Sequence, residues 1–130
     1  MAKFISDNVT DAALAYIADN GDKLAVCTSQ PTTYTELSSD YKLAIETMTT
    51  GHGNGDYTIA DGDVSGRKLT MTAQSAISID TTGTAQHVAI GKSSATTDVL
   101  LVATLPLSQA LTATNTVTIP AFKYTLPDPT

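Results

Sequence analysis

The chain is predicted to be mainly β with one N-terminal α-helix, as an antiparallel β-sandwich or barrel, and three observations predict it. Thr is its commonest residue, 23 of 130, and all but Thr10 stand at or after residue 28. The branched β-carbon of Thr suits the half-exposed surface of a sheet. Apolar runs are short and are punctuated by Gly, Pro, Asn and Asp, which leaves room for roughly seven strands. No alternation of strands with further helices follows the first segment, so no parallel α/β sheet is expected. A length of 130 residues gives one domain, 1–130: a helix at about 6–20, a sandwich at about 22–126 and an extended tail at 127–130.

The helix is legible from Ile5, Val9, Ala12, Ala13, Tyr16 and Ile17, which recur at helical spacing. Ser6 is its expected N-cap, Asp7 and Asp11 suit the positive end of its dipole, and Asn20-Gly21 is expected to end it in a left-handed turn. Residues 23–28 alternate Leu24 and Val26 with Ala25 and Cys27, the pattern of a strand buried on both faces. Gln30-Pro31 and the hydroxyl-rich residues after it predict a loop over 29–40, or a loop with one helical turn. A short strand over 41–48 is expected to place Leu43 and Ile45 on one face, and three glycines within residues 51–55 mark a loop that needs outside support.

Strands then follow one another. Residues 57–60 and 67–73 are expected to flank a turn, with Leu69, Met71 and Ala73 inward. Residues 76–80 and 84–90 are predicted to form a hairpin through Asp80-Thr81-Thr82-Gly83, with a positive φ at Gly83. Residues 98–105 are apolar on both faces. The last strand, from 116 to about 126, changes phase at Pro120, since Val117, Ile119 and Ala121 have one parity and Phe122, Tyr124 and Leu126 the other. Proline cannot donate to a ladder, so a bulge or a crossing between sheets is expected there. The predicted core is Leu24, Val26, Leu69, Met71, Ile77, Ile79, Val88, Ile90, Val99, Leu101, Val117 and Ile119.

The composition narrows function more by exclusion than by motif. A formal net charge of -6 repels polyanions, so no nucleic acid is expected as partner. No run approaches the ~18 apolar residues of a membrane span, and the N-terminus lacks the pattern of a secretory signal. The single Cys27 needs no oxidising compartment and has no base nearby in sequence, so it is expected in the core. Asp56, Asp61 and Asp63 with His52 are the one acidic and imidazole cluster, but the position twelfth from Asp61 is Thr72 rather than Glu. Ordinary turn chemistry accounts for these residues, and no metal or cofactor is expected. His52, His87 and Cys27 lack zinc-ligand spacing, and no nucleophile elbow is present, so no catalytic residue and no enzyme activity are expected. His87 is expected to be a hydrogen-bonded structural residue on a face with Ala85 and Ala89.

Phe4-Ile5-Ser6-Asp7, residues 27–34 (Cys-Thr-Ser-Gln-Pro-Thr-Thr-Tyr), Gly66-Arg67-Lys68-Leu69-Thr70, residues 83–89 (Gly-Thr-Ala-Gln-His-Val-Ala) and Ile119-Pro120-Ala121 resemble a family of small tailed-bacteriophage virion proteins of about this length. The resemblance covers nearly the whole chain, and its motifs are turn and packing patterns. It implies a structural virion protein, first of all a capsid decoration or cement protein, made in the bacterial host cytoplasm and then part of the virion. The partners it implies are other copies, as a homo-oligomer and possibly a trimer, and the major capsid protein or another virion protein. A tail or neck protein, or a non-viral β-sandwich binding module, is the alternative. Ile5, Val9, Phe122, Tyr124 and Leu126, at the two ends of the chain, are the candidate interface residues.

Overall fold

The computed structural model describes residues 2–130. In chain order the elements are α1 (Asp7–Asn20), β1 (Lys23–Cys27), β2 (Lys42–Thr47), β3 (Tyr57–Asp61), β4 (Arg67–Met71), β5 (Gln74–Ser78), β6 (Gly83–Gly91), β7 (Val99–Leu111), β8 (Thr116–Ile119) and β9 (Phe122–Leu126). They build a four-stranded sheet β2-β1-β6-β7, a three-stranded sheet β3-β4-β9 and a pair β5-β8. Every pairing of named strands is antiparallel. The result is the predicted sandwich-like class rather than a closed barrel, because β7 and β8 each have one unpaired edge.

The four-stranded sheet is covered on both faces. Leu24, Val26, Val88 and Ile90 look into the main core, where Leu14 and Ala18 of α1, Tyr57, Leu69 and Met71 of the three-stranded sheet, and Ile77 and Ile119 of the pair also meet. The opposite face carries Ala25, Cys27 and Ala89 under Leu37, Tyr34 and Tyr41 of the segment between β1 and β2. That segment is the expected loop with one helical turn, of π type, over Glu36–Asp40. Double coverage explains why β1 lacks a polar side. Nine of the twelve predicted core residues are buried; Val99, Leu101 and Val117 are half-buried and pack at the margins of the two clusters.

Several expectations are corrected. β5 and β6 do not form a hairpin: β5 pairs with β8, and β6 lies between β1 and β7. After β5 the chain instead crosses to the edge of β2, where Ile79 bridges Ala44 and the Asp80 and Thr81 amides donate to the Leu43 carbonyl. Gly83 has no positive φ; a Cβ there would lie 2.8 Å from Leu43 Cδ2, so close packing is what excludes a side chain. Leu43 and Ile45 do not share a face, because a bulge at Val26/Cys27 leaves Leu43 out of register, turned with Ala44 toward the main core while Ile45 packs on the second cluster. Ala73 lies beyond β4 and is exposed. The phase change at Pro120 is a crossing: β8 pairs with β5, and β9 pairs with β4 in the other sheet.

The helix also departs from expectation at its end and in its roll. Ser6 caps it, its hydroxyl accepting from the Asn8 amide, but Gly21 sits at φ −79 rather than in the left-handed region. Glycine is required there by contact: a Cβ would lie 2.6 Å from both Ile90 Cγ2 and the Tyr57 hydroxyl. Facing the core are Thr10, Leu14 and Ala18, not the stripe of Val9, Ala12, Ala13 and Tyr16, which stays exposed. Arg67 of β4 sets the roll by holding Asp11 in a two-pronged ion pair, Nε to Oδ1 at 2.7 Å and Nη2 to Oδ2 at 3.2 Å. The buried Thr10 hydroxyl is satisfied by donating to the Asp7 carbonyl.

Gly21→Ala is expected to lower stability by about 1 to 3 kcal/mol through overpacking, and Leu69→Ala or Ile119→Ala by about 2 to 5 kcal/mol each. Denaturant midpoints check all three, and unchanged midpoints would contradict the placement of these residues.

Candidate interaction face

The chemistry-bearing side chains flagged in the sequence do not converge. His52 faces Asp19 at the end of α1, Nδ1 to Oδ1 at 3.1 Å, and the Gly51 amide donates to the Ala18 carbonyl, so the glycine loop is tied to the helix. Asp56 accepts from the Thr49 amide at 2.7 Å, the Thr72 hydroxyl at 2.7 Å and the Gln74 amide group at 3.1 Å. Asp61 pairs with Arg67, and Asp63 lies between Lys68 and Lys123. The two lysines, Lys123 foremost, hold the Asp63 carboxyl down to about 2. Both Asp63 oxygens and one of Asp61 are thus held by basic side chains of this chain, and the Asp56 oxygens by neutral donors.

Cys27 is fully buried, and burial pushes its thiol up to about 12, far from a reactive thiolate. His87 is held to the Thr104 hydroxyl at 3.2 Å, the expected structural hydrogen bond. Its expected neighbours separate, since a register shift between Ala85 and His87 sends Ala85 to the main core and leaves Ala89 in the second cluster.

The residues expected at an interface divide. Ile5, Val9 and Leu126 come together with Thr10, Ala13, Pro127 and Pro129 around a shallow groove of about 270 Å³. This groove runs between the outer side of α1 and the chain's C-terminal end, and no charged side chain lines it. Val9 is 57% exposed, and Phe4, on the extended segment before the helix, is 89% exposed. Phe122 is a correction: it pairs with Met71 and packs on the main core, against which Leu126, on the same face of β9, packs in part as well. Tyr124 stands exposed on β9, outside the groove. Helical periodicity alone does not say which stripe meets the core: here Thr10, Leu14 and Ala18 do, while Val9, Ala12, Ala13 and Tyr16 stay exposed. Compared with protein-family models, curated proteins and solved structures, the chain matches none.

Asp22 and Asp56 titrate below the usual carboxylate value. Burial opposes this in each, but hydrogen bonds outweigh it, from Ser93 to Asp22 and from Thr49, Thr72 and Gln74 to Asp56. A lowered folded-state value contributes stability above the unfolded value near 4, and that stability is lost as pH falls through the folded value. The melting temperature is therefore expected to hold between about pH 7 and pH 5 and to drop below about pH 4. Asp56→Asn should lower it at neutral pH and flatten the acid decline; an unaltered decline would contradict the role given to Asp56.

Proposed function

We propose that this chain is a structural subunit of a bacteriophage particle, a decoration or cement protein that works by binding rather than by chemistry. The observation that carries the binding role is the charge-free apolar groove between α1 and residues 126–130. Burying such a surface against a lattice gains hydrophobic free energy without stripping water from charges. The phage assignment rests on the sequence resemblance. The pairing of the acidic loops with this chain's own Arg and Lys side chains supports a role without a resident metal.

The partners are further copies and the major capsid protein. The helix is tied to the domain through the Arg67–Asp11 ion pair, while its outer stripe is free to pack on a neighbour.

Undecorated capsids mixed with the purified chain test this. Saturable binding is expected, weakened at least about tenfold, or 1.4 kcal/mol, by the paired exposed substitutions Val9→Glu and Ala13→Glu with the fold intact by circular dichroism. No binding of the unaltered chain would remove the decoration reading and favour a tail or neck position.

A further inference from the structure

We propose that two copies of this chain join through the free edge of β7, pairing residues 99–104 antiparallel about a two-fold axis to make one continuous eight-stranded sheet. β7 borders only β6, so its outer edge presents unpaired backbone donors and acceptors. Among the described residues, no backbone hydrogen bond outside the β6 ladder reaches 99–104. An open ladder of this kind is satisfied by another strand.

The side chains of this edge are those of an interior strand. Val99, Leu100, Leu101, Val102 and Ala103 are all half-buried. Leu100 and Leu101 pack toward the main core, and Val99 and Val102 toward the second cluster. An added strand would therefore extend both apolar layers at once. The other edge of the same sheet is handled differently: β2 carries Lys42 and Glu46 and is partly covered where Ala44 bridges Ile79. Lysines and other charges are the usual guards of an exposed edge, and no charged side chain occurs between Asp98 and Lys123.

The edge itself fits a second copy: paired antiparallel with itself it sets Val99 opposite Thr104, Leu100 opposite Ala103 and Leu101 opposite Val102, with no charge at any position. Each chain carries a net charge of -6, so copies repel wherever acidic surfaces meet. The β7 edge lets them approach without placing like charges opposite each other. Antiparallel pairing of a strand with itself uses one surface on both partners and closes after two copies, which avoids open fibres. The strand also limits its own pairing. Beyond Thr104, residues 105–108 bulge out opposite Gln86 alone, and Pro106 has no amide hydrogen to give. Leu107, 83% exposed, stands on that bulge beside the end of the pairing segment.

This pairing does not depend on lattice docking. Sedimentation equilibrium of the full chain is expected to give twice the 13.5 kDa mass of one chain. The double variant Thr104→Lys/Leu107→Lys alters exposed positions and should weaken the dimer at least tenfold with an unchanged circular dichroism spectrum, while Ser94→Lys, a charge change off the edge, should not. A monomer at all accessible concentrations, a trimer, or a dimer indifferent to the double variant would overturn the proposal. A β7 dimer that ignores undecorated capsids would leave the pairing standing and remove only the docking reading.

Discussion

The Tyr57 hydroxyl donates to the Gly21 carbonyl at the point where helix and sheets meet, and much of the architecture depends on that contact. Tyr57 opens β3 and is fully buried. Burial, reinforced by the negative charges of Asp56 and Asp22, raises its pKa, so it remains a donor. Gly21 brings the helix end so close that no Cβ fits between it, Tyr57 and Ile90 of the four-stranded sheet. Three elements distant in sequence are thereby fixed at one point. Asp22, the next residue, extends the lock by accepting from the Ser93 amide at 2.8 Å beyond the end of β6.

With its C-terminal end fixed there, α1 has only its roll left to define, and Arg67 defines it through Asp11. That roll turns Leu14 and Ala18 inward and leaves Val9 and Ala13 facing out, beside Ile5 and the C-terminal end. The same arginine also holds Asp61. One cation therefore secures the helix, neutralises a turn that could pass for a metal loop in sequence, and sets the outline of the apolar groove. The proposed binding face is a consequence of how the core is locked.

The strand content, the helix with its Ser6 cap, the two-faced burial of β1 and the sheet crossing at Pro120 are local properties, and the sequence makes them legible. What it hides is mostly parity and partnership. Bulges at Val26/Cys27 and at Ala85/His87 each shift side chains to the opposite face, and no residue type announces them. The expected β5-β6 hairpin rested on turn chemistry alone, whereas Ile79, Asp80 and Thr81 are captured by β2, far away in sequence. Within β5 a bulge places Ala76 at φ 56, which alternation of apolar residues could not reveal. Of the candidate interface, Ile5, Val9 and Leu126 meet at the groove, while Phe122 belongs to the core, on which Leu126 also packs in part. The open edge of β7 was hidden because an apolar strand reads as interior until its neighbours are counted.

On the proposed reading this protein acts through uncovered apolar surfaces, while its acidic and imidazole groups serve the fold. Amide hydrogen exchange, compared between the free chain and the chain mixed with undecorated capsids, the proposed docking lattice, tests this reading. Slower exchange on assembly is expected in residues 2–16, 99–104 and 126–130, with residues 49–56 and 61–66 unchanged. Protection confined to the loops carrying His52, Asp61 and Asp63, with the apolar surfaces exchanging as in the free chain, would contradict it.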